Sequence, residues 1–459
     1  MTTQIIIILF AIIYFGFILY TRRKGDFEEF SVAGRSLGTF LIFSTVAASY
    51  IGPAMTLGLS REGFLSGSYA NFFTTMTTLA LAFVAIVLAP IIREKYKESF
   101  SIGDVMGGPE SHNHGYVKIA IGIISVWLMS SITIAMTYAG GELINNAFGF
   151  PKFWSIAIIT AIIVLYSSFG GIRATIQTDA FQLVVFLILV PLLAIFIIQE
   201  DGFNWANFSE SNALKVSKAH ENQTFSGMLG LAMFWIFNAG FDASIINRIL
   251  ASKNIKVAKT SIILAGIFMS IWAFLMVFIG NAGAFLHPEL TVNDLVLLNI
   301  AEAHLPQTLY GLFMVALIGV VMSSADTTLN TASIVFSEDV LGVIRKDTSR
   351  KYKLKAAKYF TIFLGIISVF IASYLTSVLN VVMYIFTIYM PMMIPIIIMS
   401  ILKKKHLWQS AITSMICGPL AFLIWEYLKI ESLPSTFVGV SAGFISYLVS
   451  DKIINAGKN

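Results

Sequence analysis

The stretch MSSADTTLN, residues 322–330, brings one carboxylate and four hydroxyl groups into an apolar segment (residues 312–335) that is long enough to cross a membrane. Such groups are costly in a membrane unless they bind something. At 3.6 residues per turn, Ser323, Asp326 and Thr327 share one face of the predicted helix. Their hard oxygen atoms suit a small hard cation, and Na⁺ is the obvious candidate. The alternative is a polar seam that joins neighbouring helices.

The composition of the whole chain indicates a membrane protein. Of its 459 residues, 57% are hydrophobic and only 12% are charged, and the mean hydropathy is +0.82. Soluble domains carry about 25% charged residues. The single cysteine, Cys417, cannot form a disulfide within the chain. We therefore expect one polytopic domain over residues 1–459, with the lipid bilayer around it.

Apolar runs of about 20 residues mark the membrane spans and predict an all-α polytopic fold. The first run lacks a basic region before it and a small-residue cleavage site after it, so it predicts a retained helix and not a signal peptide. Thirteen runs are present, at residues 4–21, 40–60, 69–92, 117–147, 153–169, 179–199, 225–246, 260–285, 308–336, 357–377, 380–402, 407–427 and 435–450.

The distribution of basic residues predicts the orientation of these spans. If the N-terminus is outside, 25 of the 30 Lys and Arg residues fall in the cytoplasmic segments. Cytoplasmic loops carry an excess of positive charge, so this bias predicts an N-out, C-in arrangement in the cell membrane. The pI near 9.0 is then a topology signal, and no nucleic-acid partner is expected.

Two of the runs are interrupted by residues that break helices. ASYIGP (residues 48–53) lies within the second run, and NAGFD (residues 238–242) lies within the seventh. In hydrocarbon such breaks are tolerated only where they line a cavity or are buried in protein. Because the two breaks are five spans apart, they predict two inverted five-helix repeats, and simple kinks are the alternative. The predicted parts are an extra N-terminal helix (4–21), the two repeats (40–199 and 225–402) and two C-terminal helices (407–450).

Several stretches resemble one known family of membrane carriers. They are FSVAGRSLG (30–38), ASYI (48–51), GGIRA with TDAFQ (170–174 and 178–182), the pair Trp235 and Arg248, and Ser323-Ser324 followed by Asp326. In these stretches the chain resembles the sodium:solute symporter family, and the resemblance covers nearly the whole chain. It implies a LeuT-type core and Na⁺-coupled symport of a small organic solute by alternating access.

The resemblance also implies a principal sodium site between the first and eighth core helices. In the family, backbone carbonyl groups face a pair of hydroxyl groups there. The matching groups are the carbonyls of Ala48, Ile51 and Val320 and the hydroxyls of Ser323 and Ser324. The residues themselves indicate a similar arrangement, because an unwound turn offers free carbonyl groups to a cation.

Some members of the family hold a second cation nearer the cytoplasm, and the matching residues here are Asp179, Ser323, Asp326 and Thr327. Asp326 departs from the serine that sialic-acid carriers have at this position. Two carboxylates at low dielectric repel each other unless a cation lies between them or one of them is protonated. Asp326 therefore favours either a second cation or proton coupling. The alternative for Asp179 is a structural pair with Arg173.

The substrate is expected near the middle of the membrane, between the two broken helices. At the positions where sugar carriers present acidic and amide groups, this chain has Met55 and Thr74. This difference favours an amino acid or a small carboxylate, and a sugar is the alternative. The predicted substrate-binding residues are Tyr50, Met55, Asn71, Thr74, Trp127, Trp235, Asn238 and Tyr384.

The sequence lacks the motifs of ATP-driven pumps and common hydrolases. It has no P-loop and no GxSxG, HExxH or CxxC pattern. We therefore expect a secondary transporter and not an enzyme, with Na⁺ as the coupling ion, no organic cofactor and no obligatory protein partner. The alternative is an uncoupled channel or a sensor with the same fold.

Overall fold

The computed structural model describes residues 2–21, 26–107, 114–345, 349–402 and 407–456. Over these ranges the regular secondary structure is helical, and strand-like pairing is limited to one isolated bridge between Leu37 and Ser252. The predicted all-α fold is therefore confirmed.

The helices follow one another with few long connections. The first ten are α1 (Thr2–Thr21), α2 (Phe27–Val32), α3 (Thr39–Tyr50), α4 (Leu59–Ser66), α5 (Tyr69–Phe83), α6 (Ala89–Lys95), α7 (Ile102–Met106), α8 (His114–Phe148), α9 (Lys152–Ile198) and α10 (Trp205–Glu221). The others are α11 (Phe225–Phe237), α12 (Ala243–Ala251), α13 (Ile255–Leu286), α14 (Val296–His304), α15 (Gln307–Val335), α16 (Gly342–Ile344), α17 (Arg350–Ala372), α18 (Val378–Leu402), α19 (Trp408–Tyr427) and α20 (Ser435–Ala456). A wider π-helical turn at Ala54–Gly58 leads into α4, and similar turns at Val84–Leu88 and Phe336–Leu341 continue α5 and α15.

Nine of the described helices are long and apolar enough to cross a membrane, and a bent pair, Thr39–Tyr50 with Ala54–Ser66, makes a tenth crossing. Three shorter apolar stretches, Thr2–Ile13, Lys152–Ser168 and Phe225–Phe237, fall on the remaining predicted spans. The protein is thus a multi-pass membrane protein, and each predicted span carries a helix. Thirteen crossings and their orientation stay predictions.

The first break lies between α3 and α4, whose axes are bent by 60°. α3 ends at Tyr50, and Pro53, which has no N–H to donate, precedes the next helical turn. Gly52 lies so close to Ser324 that a Cβ atom at this position would overlap the serine hydroxyl. The glycine therefore allows the broken turn to approach α15.

The second break lies between α11 and α12. Gly240 turns the backbone there with a φ of +88°, a conformation that favours glycine. Asp242 then caps α12, because its Oδ1 accepts hydrogen bonds from the backbone N–H groups of Ser244 (2.6 Å) and Ile245 (3.3 Å). Both breaks therefore have local causes that are visible in the sequence.

A kink at Gly171 divides α9 into two spans without a loop. Gly171 has φ +59° and ψ −164°, and a Cβ atom there would collide with Phe30 of α2. Two residues further on, Arg173 forms an ion pair with Glu29 and donates to the carbonyl of Ala33 at 2.7 Å. The kink and the arginine together hold α2 against α9.

Helix α15 lies at the centre of the bundle. Every residue from Phe313 to Val335 is buried. The helix packs against α8, α9 and α1, while α13 packs against α3, α4 and α5. The polar stretch at residues 322–330 therefore faces other helices and not lipid.

Candidate functional site

Tyr50 connects the two helix breaks. Its hydroxyl donates to Asp242 Oδ2 at 2.7 Å and accepts from the backbone N–H of Gly240 at 3.0 Å. The end of α3 is therefore hydrogen-bonded to the turn that precedes α12. The two segments that the sequence predicted as facing each other are in direct contact.

The hydroxyl groups of α15 attach that helix to the first break. The hydroxyl of Ser324 donates to the carbonyl of Ser49 at 3.1 Å. The hydroxyls of Ser49 and Thr327 hydrogen-bond each other at 3.0 Å. An unwound backbone and a row of hydroxyl oxygens thus lie side by side, which is an arrangement that suits a small hard cation.

The residues predicted for the principal sodium site are all buried, with at most 3% of their surface exposed. They come from the first break and from α15, which are the elements that the Ser324–Ser49 bond joins. The carbonyl of Ile51 accepts from the hydroxyl of Thr56 at 2.5 Å. A cation at this carbonyl would share it with that hydroxyl, since a carbonyl oxygen has two lone pairs.

Asp179 lies in the interior with none of its surface exposed. Its two oxygens accept hydrogen bonds at 2.6 Å from Thr45 of α3 and from Ser323 of α15. The alternative partner, Arg173, pairs with Glu29. Asp179 therefore lies between α3 and α15, next to the hydroxyl face of the polar stretch.

Asp326 is also fully buried. Its Oδ2 accepts from the hydroxyl of Tyr166 at 2.5 Å, whereas its Oδ1 has no hydrogen-bond partner among the described residues. A buried carboxylate oxygen without a partner is unfavourable, because its desolvation is not offset. The oxygen is thus free to bind a cation or to carry a proton.

Arg248 is a charged residue of the interior whose place beside the site the sequence interpretation did not predict. It was counted among the cytoplasmic charges, but only 2% of its surface is exposed. Its guanidinium donates to Thr327 Oγ1 at 2.6 Å and to Thr45 Oγ1 at 3.4 Å. The sequence did contain a sign of this burial: α12 is nearly apolar and begins after Asp242, a residue type that caps helices. A fixed positive charge therefore lies beside the second predicted cation site.

A cavity of about 100 Å³ lies beside the two breaks. Four of the predicted substrate-binding residues, Tyr50, Met55, Trp235 and Asn238, line it. Asp242 also lines the cavity and was not predicted, although its position after Gly240 and before an apolar helix is typical of an N-cap that faces a break.

The other four predicted substrate residues are not on the wall of this cavity. Trp127 and Tyr384 have 37% and 62% of their surface exposed, so they point out of the bundle. Thr74 is buried, and its hydroxyl bonds the carbonyl of Asn71 in its own helix at 3.2 Å. The rotation of each helix about its own axis decides which side chains reach the cavity, and sequence alone leaves this rotation uncertain by a residue or two.

Comparison with known proteins identifies the family. The sequence pattern of the sodium:solute symporter family matches residues 30–418, which is most of the chain. The chain belongs to the sodium:solute symporter family. The symporter is therefore a sodium-coupled carrier of a small solute and not an enzyme, as the sequence predicted.

The relatives of the symporter include sodium/proline symporter 2 of Staphylococcus saprophyticus. It is 25% identical over 444 residues, which are 92% of this chain and 86% of the relative. The sodium/proline symporter of Staphylococcus aureus (strain JH9) is 23% identical over 433 residues, which are 90% of this chain and 83% of the relative. These relatives match the symporter over nearly its full length.

Solved structures show the fold. A Na⁺-coupled sialic acid symporter in a substrate-bound, outward-open state has a TM-score of 0.86 at 17% identity, with 99% of this chain and 98% of that chain covered. Mhp1, a nucleobase-cation-symport-1 family transporter in a closed conformation, has a TM-score of 0.62 at 15% identity, with 93% and 95% covered. The symporter therefore has the LeuT-type fold that the sequence predicted.

Proposed function

We propose that this symporter imports a small organic solute, an amino acid or a small carboxylate, together with Na⁺ that moves inward across the cell membrane. One observation carries the proposal: the two helix breaks meet at the Tyr50–Asp242 hydrogen bond beside a cavity, and the α15 hydroxyls face the first break. Broken helices near the midplane hold substrate and ion in transporters of this architecture. Alternating access then opens this site to one side of the membrane at a time.

The proposed arrangement in the membrane is N-out and C-in with thirteen crossings. The distribution of Lys and Arg supports it. Residues 1–459 act as one transporter domain in this proposal. Its parts are an extra N-terminal helix (4–21), the two inverted repeats (40–199 and 225–402) and two C-terminal helices (407–450).

The proposed principal sodium site consists of the carbonyls of Ala48, Ile51 and Val320 and the hydroxyls of Ser323 and Ser324. The burial of all five residues and the contact between Ser324 and the unwound turn support it. Carbonyl and hydroxyl oxygens are neutral hard ligands. Such a site would bind Na⁺ without a carboxylate, which leaves the nearby acidic groups for other roles.

The proposed second site, for a cation or a proton, consists of Asp179, Ser323, Asp326 and Thr327. The Ser323–Asp179 hydrogen bond and the unpartnered oxygen of Asp326 support it. Arg248 donates to Thr327, so part of the positive charge that the two carboxylates require is supplied by the protein. A proton on Asp326, or a second cation bound to it, would offset the remaining negative charge.

The proposed substrate contacts are centred on the cavity residues Tyr50, Met55, Trp235 and Asn238. Asn71, Thr74, Trp127 and Tyr384 stay predictions, and their contribution would require a conformation other than this one. Apolar walls with a few polar groups are typical of small-molecule sites. No organic cofactor and no obligatory protein partner are part of the proposal.

Uptake by the purified symporter in proteoliposomes tests the proposal. An inward Na⁺ gradient should drive accumulation of at least one amino acid or small carboxylate, whereas an equal K⁺ gradient should not. Accumulation that proceeds equally in K⁺ would contradict sodium coupling. Accumulation of sugars alone would contradict the proposed substrate class.

A further inference from the structure

We propose that the substrate carries a positively charged nitrogen, an ammonium group, which the carboxylate of Asp242 receives in the cavity between the two breaks. This inference rests on the proposed function and narrows its substrate class. It separates ammonium compounds, amino acids included, from carboxylates that lack such a nitrogen.

The charge on the cavity wall is the first argument. Among the described residues that line the cavity, Asp242 is the one with a charged side chain. Only 3% of its surface is exposed, and among the described residues its Oδ2 accepts a hydrogen bond from Tyr50. A carboxylate oxygen can accept a second hydrogen bond. Because a buried charge is costly unless it is paired, an ammonium group is the complementary ligand.

The backbone of the second break is the next argument. In transporters with broken helices, the N-terminus of a half-helix commonly holds an anionic group of the substrate. Here Asp242 itself takes that place, since its Oδ1 accepts from the N–H groups of Ser244 and Ile245. The N–H of Gly240 already donates to Tyr50. A substrate that is only an acid would therefore meet the carboxylate of Asp242 at this end of the cavity.

The uncharged walls also suit a cation. Phe234, Trp235 and Phe386 line the cavity together with Tyr50. Aromatic faces attract ammonium groups through their ring electrons. The side-chain amide oxygen of Asn238 is also buried and has no partner within the described ranges. This oxygen can accept a hydrogen bond from an N–H of the ligand.

The balance of charge in the interior also favours a substrate with an ammonium group. Asp179, Asp242 and Asp326 are buried carboxylates, and Arg248 is the buried guanidinium near them. With all three carboxylates ionised, the cluster carries an excess of two negative charges. Na⁺ and protons at the proposed sites would offset part of this charge, and an ammonium group next to Asp242 would offset the charge on the cavity wall. A substrate with a carboxylate and no ammonium group would increase the excess, which is unfavourable at low dielectric.

The inference is tested with matched probes on the full-length symporter. Glycine, L-alanine and L-proline are compared with their N-acetyl derivatives, with acetate and propionate, and with ethanolamine as a cation without a carboxylate. Sodium-dependent thermal stabilisation and uptake are measured for each compound. We expect stabilisation only by compounds with a positively charged nitrogen. Stabilisation by the acids or the N-acetyl derivatives, or by none of the compounds, would overturn the inference.

Asp242→Asn separates this inference from the proposed function. Asparagine is a good N-cap, so α12 should keep its start while the charge is removed. Binding of the ammonium probe should weaken by about 30-fold or more, because a buried charge pair loses one partner. Stabilisation by Na⁺ alone should remain. The exposed Asp201 provides the matched control Asp201→Asn, which should bind as the wild type. Unchanged binding of the ammonium probe in Asp242→Asn would refute the role of Asp242. Uptake by the wild type that does not depend on Na⁺ would instead refute the proposed function.

Discussion

Ser323 and Ser324 are adjacent in the chain but have different neighbours. Ser324 bonds the carbonyl of Ser49 in the first break, and Ser323 bonds Asp179 on α9. Successive residues on a helix point about 100° apart, so the pair can bind two different elements at once. The two hydroxyls therefore connect the principal sodium site with the carboxylate next to it.

Removing the hydroxyl of Ser324 should weaken sodium binding. A hydrogen bond or ligand contact to a charged group contributes about 1.5–3 kcal/mol, so Ser324→Ala should raise the Na⁺ concentration for half-maximal uptake by about tenfold or more. Uptake in proteoliposomes at varied Na⁺ measures this. Ser368→Ala is the control, since the Ser368 hydroxyl bonds the Leu364 carbonyl of its own helix and no other described residue. An unchanged sodium requirement would remove Ser324 from the principal site.

Neutralising Asp326 should change either the number of Na⁺ ions transported per substrate or the pH dependence of uptake. Asp326→Asn keeps the shape of the side chain near Tyr166 but removes a buried charge. If the carboxylate binds a second cation, the number of Na⁺ per substrate should fall by one. If it carries a proton instead, the dependence of uptake on pH should flatten. Charge and substrate fluxes in the same vesicles distinguish the two results, and no change in either would make Asp326 a structural residue.

At the scale of elements, the kink in α9 determines where α2 lies. Gly171 leaves room for Phe30, and Arg173 holds Glu29 by an ion pair and Ala33 by its carbonyl. α2 leads into α3, whose far end forms the first break. The start of α3 is thus attached, through α2, to α9, which also carries Asp179.

A side chain at Gly171 should disturb this attachment. Gly171→Ala would force alanine into a backbone conformation that is nearly restricted to glycine and would push its Cβ into Phe30. Strain of about 1–3 kcal/mol and overpacking of similar size are expected, so the symporter should unfold at a clearly lower temperature in detergent. Gly16→Ala is the control, because no described atom beyond the neighbouring backbone of its own helix lies within 4 Å of a Cβ there. Equal melting temperatures for both variants would show that α2 and α9 separate easily.

At the scale of the whole molecule, α15 and the two breaks form one connected polar region inside the bundle. Four buried charged residues lie there: Asp179 on α9, Asp242 in the turn before α12, Arg248 on α12 and Asp326 on α15. A polar group in the membrane interior requires such partners, since lipid offers none. The ion and the substrate would therefore be bound by neighbouring parts of one network and not by separate pockets.

The proposed topology predicts which loops face each side of the membrane. On a Cys417→Ala background, a cysteine at Lys429, between α19 and α20, should react with an impermeant maleimide added outside intact cells. A cysteine at Ser349, before α17, should react only after the membrane is permeabilised, because the basic loops are expected inside. The reverse pattern would mean that the N-terminus is inside.

The amino-acid sequence alone determined the all-helical membrane fold, the two breaks and the polar face of α15. These features are local: apolar length, glycine and proline positions, and helical spacing act within about 20 residues. The tertiary structure decided that Arg248 is buried beside Thr327, that Asp242 rather than a substrate carboxylate caps α12 at the cavity, and which predicted residues reach that cavity. These outcomes depend on how distant helices are rotated against each other, because a single residue of helical phase turns a side chain from the cavity towards lipid.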